Sequence, residues 1–312
     1  MSTHDQSGEK GGQARVTRRD FLVQSTALLL APRAAQTPAS RLILLGTAGG
    51  PTPKKTRSGP AQIIVIGDRG YVVDCGDGVA RQMVAAGVFR TLRHVFITHH
   101  HSDHNADYGN LLLLAWGDPL KARVDTWGPP PIERITKVFF QMNSEDLRVR
   151  EKDEGKPPLP PLVHAHDVRR GGFVMKDELV TVTCAVVEHP LVPLAFAYRF
   201  DCLDRSIVIS GDTRPSDSVV RLARGADVLV HEVLYVPYAP GPPGSALRKH
   251  IMDSHTPVEE AGRIAAEAGV KTLVLSHMVP GENPPVTDDQ WLEAARTHFN
   301  GRIVVGHDLL EL

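Results

Sequence analysis

Short apolar runs recur along the chain, most of them closed by glycine, proline or a polar cluster, and between them lie stretches with helical spacing. Leu42–Leu45 runs into Gly46-Thr47-Ala48-Gly49-Gly50, a glycine loop with a proline behind it. Ile63–Ile66 and Tyr71–Val73 read as a hairpin turning at Gly67-Asp68-Arg69-Gly70. Further strands are predicted at Val95–Thr98, Leu179–Val187, Ala195–Phe200, Ser206–Ser210, Val228–His231, Thr272–Leu275 and Arg302–Val305. Helical periodicity marks Val79–Val88, Asn105–Trp116, Ile132–Asn143, Pro215–Ala223, Thr256–Ala268 and Asp288–Phe299. Thr256, Pro257 and Glu259 have the order of an N-cap, a first helical residue and a third. Glu151–Pro161, charged and proline-rich, is predicted as a loop, and Pro237–Gly244 as part of a flap. Strands alternate with helices in both halves without one continuous βαβ repeat, and no 20–50-residue repeat is present. The class is α/β, or α+β by some schemes.

Composition narrows the partners. The 312 residues are 42% hydrophobic and 23% charged, with a net charge of −1. This is ordinary globular composition, without the basic excess of a chain that grips a phosphate backbone, and it argues against nucleic acid as a partner. Cys75, Cys184 and Cys202 make neither a disulfide framework nor a zinc knuckle. One pair at most could bridge, and the sequence does not choose among them.

The N-terminus carries a different signal. Thr17-Arg18-Arg19-Asp20-Phe21-Leu22-Val23 resembles a twin-arginine export signal, and Phe21–Ala31 would be its apolar segment, too short to span a bilayer. The expected organisation is a signal and short linker over residues 1–40 and a single catalytic domain over 41–312. Residues 1–35 hold five basic and three acidic groups, so their removal takes the net charge from −1 to −3. The expected location is the periplasm or outside the cell, with no membrane span in the mature form.

The chemistry concentrates in Thr98-His99-His100-His101-Ser102-Asp103-His104, directly after the apolar run Arg93–Ile97. Three spaced imidazoles and a carboxylate exceed what one tetrahedral zinc takes from one short loop, which points to two metals. Further ligand types end later apolar runs: His189 after Val186-Val187-Glu188, Asp212 after Ile209-Ser210-Gly211, and His277 after Leu273–Ser276. These strand ends could therefore converge on one edge of a sheet core. His100 should face away, Cys75 should turn from the site by strand alternation, and His164-Ala165-His166-Asp167 reads as solvated.

These residues resemble the metallo-β-lactamase superfamily from about Leu42 to the C-terminus, and its fold is a four-layer αββα sandwich with metals at one edge. Val73-Asp74-Cys75-Gly76-Asp77-Gly78 is similar to the family's first motif. Leu44–Thr47, Arg57-Ser58, Arg81-Gln82 and His231-Glu232 followed by His255 look like the ribonuclease Z-like branch, which includes some arylsulfatases and cyclic-nucleotide phosphodiesterases. The resemblance implies that His99, His101 and His189 bind one Zn²⁺, that Asp103, His104 and His277 bind a second, and that Asp212 bridges them. Manganese or iron also suits an N/O ligand set. The pair would share a hydroxide with its pKa lowered toward neutrality. Asp74 is expected to support ligands rather than bind metal. Asp103 counts among the catalytic groups, and Glu232 would orient His255 as a proton donor to the leaving group.

The arm by which ribonuclease Z holds transfer RNA is expected between the third and fourth motifs. Here only a strand pair and a turn fit between His189 and Asp212. The expected function is thus an exported dinuclear zinc hydrolase of small phosphodiesters or aryl sulfates. A lactonase, β-lactamase or thioesterase is the alternative, with a ribonuclease Z-type endoribonuclease behind it. Trp116 and the Glu151–Pro161 loop are expected to wall the site, Tyr235 and Tyr238 to stack on an aromatic leaving group, and Pro237–Leu247 to cover the metals. A homodimer is what the resemblance suggests.

Overall fold

The computed structural model describes residues 39–118, 120 and 122–312. The twin-arginine-like segment lies outside the described residues, and Ser40, expected in the linker, already begins the first strand. No helix among the described residues is long and apolar enough to cross a membrane.

Thirteen strands form two mixed sheets among the described residues. The first has the order β1 (Ser40–Gly46), β2 (Ala61–Ile66), β3 (Arg69–Val73), β4 (Leu92–Phe96), β5 (Val124–Gly128) and β6 (Val163–Asp167). The second runs β13 (Arg302–Val305), β12 (Thr272–Val279), β11 (Val228–Leu234), β10 (Ser206–Ile209), β9 (Phe196–Cys202), β8 (Val180–Val186) and β7 (Gly172–Lys176). Antiparallel pairing holds β1–β3 and β7–β10; β3–β6 and β10–β13 are parallel. All residues of β2, β11 and β12 are buried, as strands covered on both faces require.

Three separate apolar clusters define four layers. Leu42, Tyr71, Phe96, Phe200 and Val230 pack between the sheets. On the outer face of the first sheet, Ile63, Val72 and Val95 meet α1 (Val79–Ala85), α3 (Tyr108–Gly117) and α4 (Ile132–Met142). On the outer face of the second, Val208, Leu229 and Leu273 meet α6 (Asp217–Leu222), α8 (Val258–Ala268) and α9 (Asp288–Arg296). The result is the α/β, four-layer αββα sandwich expected from the sequence.

Several elements depart from the sequence expectation. Much of the stretch before the proline-rich loop is α5 (Ser144–Asp153), where Arg150 pairs with Asp146 and Glu154 one turn away on either side, and Arg148 pairs with Glu145. The His164–Asp167 stretch lies in β6, and β7 was not anticipated. After the Pro237–Gly244 stretch, the chain forms α7 (Ala246–Ser254), capped by the Ser245 hydroxyl on the Arg248 N–H. Thr256 does not cap α8: its hydroxyl donates to the Thr213 carbonyl, and α8 starts at Val258. The three cysteines are unpaired.

Candidate metal centre

Because β3, β4, β8, β10 and β12 all run toward the same end of the sandwich, the residues that follow or end them meet there. Asp74 follows β3, and its backbone N–H donates to Phe96 O at 2.8 Å. Residues 97–101 leave β4, and the single turn α2 (Ser102–Asn105) then brings Asp103 and His104 back against them. His189 follows β8, Asp212 follows β10, and His277 lies within β12 near its end. The Thr98 carbonyl accepts from the Phe196 N–H at 3.0 Å, which ties the two sheets at this edge.

Two glycines set the local path. Gly211 has φ of +59°, and a Cβ there would lie 2.7 Å from the Phe196 carbonyl. Only glycine delivers Asp212 at this turn without strain. A Cβ on Gly49 would lie 2.9 Å from the His277 ring, so the glycine loop after β1 packs directly against that imidazole. The loop is pinned from below. Asp308 accepts from Thr47 Oγ1, Ser58 N–H and Gln82 Nε2 at 2.6–3.0 Å, and Arg57 donates to Thr47 Oγ1 and the Gly306 carbonyl. Asp74 and His277 adopt left-handed φ of +61° and +43° without being glycine. Such backbone costs about 1–3 kcal/mol per residue and clusters at functional sites.

Seven side chains form two groups. His99, His101 and His189 make one, and Asp103, His104, Asp212 and His277 the other, each with ligand atoms within 4.8 Å of one another. Asp212 reaches both. Its Oδ1 lies 3.2 Å from His104 Nε2, and its Oδ2 lies 3.2 Å from His277 Nε2 and 3.9 Å from His99 Nε2. His277 Nε2 is also 3.4 Å from Asp103 Oδ2. His189 Nε2 and His101 Nδ1 stand 3.2 Å apart.

The donor set fits cations. Buried His99 Nε2, His104 Nε2 and Asp212 Oδ1 have no hydrogen-bond partner, and unsatisfied buried polar atoms converging on one point call for a ligand. Burial lowers the His99 imidazole well below its ordinary pKa and the His189 imidazole to about 4, despite the pull of Asp212. Neutral rings are the form that binds metal. Burial opposes a charge on His104, yet Asp212, Asp74 and Asp103 raise it well above its ordinary value. Burial also raises the Asp103 carboxyl, but the His104 charge and the His277 hydrogen bond outweigh it and keep it ionised; a bound cation would take the place of the His104 proton.

Asp74 supports the ligands without facing the cluster. It accepts from Thr98 N–H and Thr98 Oγ1 at 2.8 Å each, and from His104 Nδ1 at 2.7 Å. That contact fixes the tautomer that points Nε2 at Asp212. His100 turns away, with Nε2 2.7 Å from the Pro129 carbonyl and Nδ1 3.0 Å from Asn105. Cys75 is buried in the outer apolar cluster. His166 joins neither ligand group; it is hydrogen-bonded to Asp125 and stacked on Trp127.

Glu232 and His255 stand beside the seven. Glu232 Oε1 accepts from Thr256 N–H at 2.8 Å and Thr213 N–H at 3.3 Å, which leaves Oε2 3.2 Å from His255 Nδ1. Burial pushes the His255 pKa down, but Glu232, helped by Asp212 and Asp103, raises it to about 9. Glu232, His255 and His277 are also close enough to hold an ion. Glu232 is already committed to two backbone donors, so we read it as the orienting group for His255.

A cleft of about 670 Å³ opens over the centre and reaches His101, Asp103, Asp212 and His255. Its walls correct three expectations. Trp116 is buried, with Nε1 donating to the Pro157 carbonyl at 2.8 Å, and neither it nor the following proline-rich loop lines the cleft. Tyr235 packs on Trp291 and Tyr238 rather than facing the cleft. The wall comes from α7, through Leu247, His250 and Ile251, with Pro240 beside it. The sequence reading overlooked His250; its i,i+4 pairing with Ser254 was the available signal.

Comparison with known proteins agrees with this geometry. Residues 69–278 match the family model described as the beta-lactamase superfamily domain. The chain is 36% identical over 274 residues to ribonuclease Z of Mycobacterium bovis (strain BCG / Pasteur 1173P2), covering 86% of this chain and 96% of that protein. It is 35% identical, with the same coverage, to ribonuclease Z of Mycobacterium tuberculosis (strain ATCC 25618 / H37Rv). Among solved structures it resembles the metallo-beta-lactamase fold protein YhfI from Bacillus subtilis, with a TM-score of 0.65, 20% identity, and coverage of 88% of this chain and 98% of that one. It also resembles the short form of human tRNase Z, with a TM-score of 0.64, 19% identity, and coverage of 87% and 98%.

Proposed function

Because this chain belongs to the beta-lactamase superfamily, in its ribonuclease Z-like branch, we propose that it is a hydrolase of phosphodiesters built on two divalent cations. The observation that carries this reading is Asp212, whose two oxygens face both ligand groups. His99, His101 and His189 would hold one cation and Asp103, His104 and His277 the other, with Asp212 between them; zinc suits this donor set. A bound pair supplies an acidified water as nucleophile and positive charge against the ester oxygens.

The chain's own residues do the rest. Asp103, kept ionised beside the imidazoles, would accept a hydrogen bond from the attacking water and orient it. His255, held charged by Glu232, donates a proton to the departing alkoxide. Thr256 and Thr213 N–H groups fix the Glu232 carboxylate, so the imidazole is aimed before substrate arrives.

The relatives' name, ribonuclease Z, favours phosphodiesters over aryl sulfates, lactones or β-lactams. It also brings forward RNA, which composition argued against. The His189–Asp212 interval favours a small ester: it holds only β9, a tight turn and β10, with no projecting arm. Export by the N-terminal segment is part of the proposal and would place the enzyme away from RNA synthesis. A direct test presents the zinc-loaded protein with bis-p-nitrophenyl phosphate, p-nitrophenyl sulfate and a transfer-RNA precursor with a 3′ extension. Turnover of the phosphodiester with little of the sulfate supports the reading. Specific cleavage at the 3′ extension would move the substrate to RNA, and sulfate turnover alone would refute the phosphodiester assignment.

A further inference from the structure

One helix face stands over the centre without a part in the mechanism above. On α7, Leu247, His250 and Ile251 occupy positions i, i+3 and i+4, so they share one face, and all three line the cleft. Leu247 is 53% exposed, so its side chain is open to whatever enters the cleft. The only polar side chain among the three is His250, and its ring centroid lies 6.4 Å from the rings of both His101 and His189. Its Nδ1 lies 3.3 Å from Ser254 Oγ, a fully buried hydroxyl with no other acceptor among the described residues. With that hydroxyl donating to Nδ1, the ring's free N–H is on Nε2, the nitrogen left to act as a donor.

We propose that α7 is the specificity wall of this site: His250 Nε2–H contacts an oxygen of the bound phosphoryl group, and Leu247 with Ile251 seats an aromatic or other apolar substituent. The assignment rests on the phosphodiesterase reading and deepens it. The cleft volume of about 670 Å³ suits a ligand of nucleotide or aryl-ester size. Pro51, Pro53 and Pro280 also line the cleft and add apolar surface, with Lys54 beside them as a further cation for an anionic group.

The test is calorimetric titration of the zinc-loaded full chain with phenylphosphonate and methylphosphonate, on wild type, His250→Ala, His250→Gln and Leu247→Ser. Metal content should be equal in all four. Removing a hydrogen bond to a charged group predicts about 10- to 100-fold weaker binding of both probes by His250→Ala. His250→Gln, which keeps an N–H donor, should recover most of that loss. Leu247→Ser, which removes the apolar surface without adding charge, should weaken phenylphosphonate by about tenfold while changing methylphosphonate little. Unchanged affinity in His250→Ala, equal affinity of the wild type for both probes, or no binding by the wild type would overturn the proposal. Failure of the functional reading looks different: the binding pattern holds, yet the wild type turns over no phosphodiester.

Discussion

Glu232→Gln isolates the proton donor from the metal ligands. In the wild type, Oε1 is held by Thr256 N–H at 2.8 Å and Thr213 N–H at 3.3 Å, and Oε2 faces His255 Nδ1 at 3.2 Å. The amide of the variant keeps its carbonyl oxygen toward the two backbone donors, so its NH₂ turns to His255 Nδ1. That nitrogen must then accept, and the ring becomes neutral. The difference between 6.5 and about 9 for His255 corresponds to about 3 kcal/mol of preference for the charged ring, most of which depends on Glu232. Losing general-acid help costs about 10²- to 10⁴-fold in rate where the leaving group needs a proton. The assay is the pH profile of kcat/KM for a methyl-leaving and a p-nitrophenyl-leaving phosphodiester. In the wild type the methyl ester should lose rate as pH rises through the His255 value. In the variant that limb should move to below about pH 6.5, with the large loss confined to the methyl ester. An unmoved limb, or equal losses for both esters, would refute the reasoning.

Other consequences are as specific. The folded His255 pKa of about 9 lies above the ordinary 6.5, so its contribution to the stability of metal-free protein is complete below pH 6.5 and lost as pH rises through about 9; melting temperatures across that window should fall in wild type and stay flatter in Glu232→Gln. Asp74→Asn removes the carboxylate that accepts from His104 Nδ1 while tolerating the positive φ, and should weaken metal binding about 10- to 100-fold in a chelator competition. Unchanged affinity there would remove Asp74 from the supporting role. Gly211→Ala meets both the positive φ and the Phe196 carbonyl, and should cost about 1–3 kcal/mol in urea unfolding; a cost below about 0.5 kcal/mol would contradict the geometry. Asp212→Ala should lose both ions together with activity, and near-full occupancy would contradict its bridging position.

The centre was legible in the sequence because each candidate ligand follows or ends an apolar run, and parallel or co-directed strands bring such ends to one edge. His99 through His104 added a local signature that no surface patch would repeat at His189, Asp212 and His277. The four layers were what the family resemblance implied, and strands buried on both faces, such as β11 and β12, fit them. What escaped notice lacks that core signal. The α5 helix buries only Leu147 and is laced by charge pairs one turn apart, which reads from sequence as a polar loop. The α7 helix buries only Ser254, because its apolar face looks into the cleft rather than the core. Trp116 misled for the opposite reason: a large aromatic near the site is packed inside, its N–H satisfied by Pro157.

The central claim is that seven side chains hold two ions side by side. Metal analysis of the purified wild-type chain, by inductively coupled plasma mass spectrometry after zinc loading and removal of free ion, measures it most directly. Two equivalents per chain is the predicted result; one or none would contradict the account.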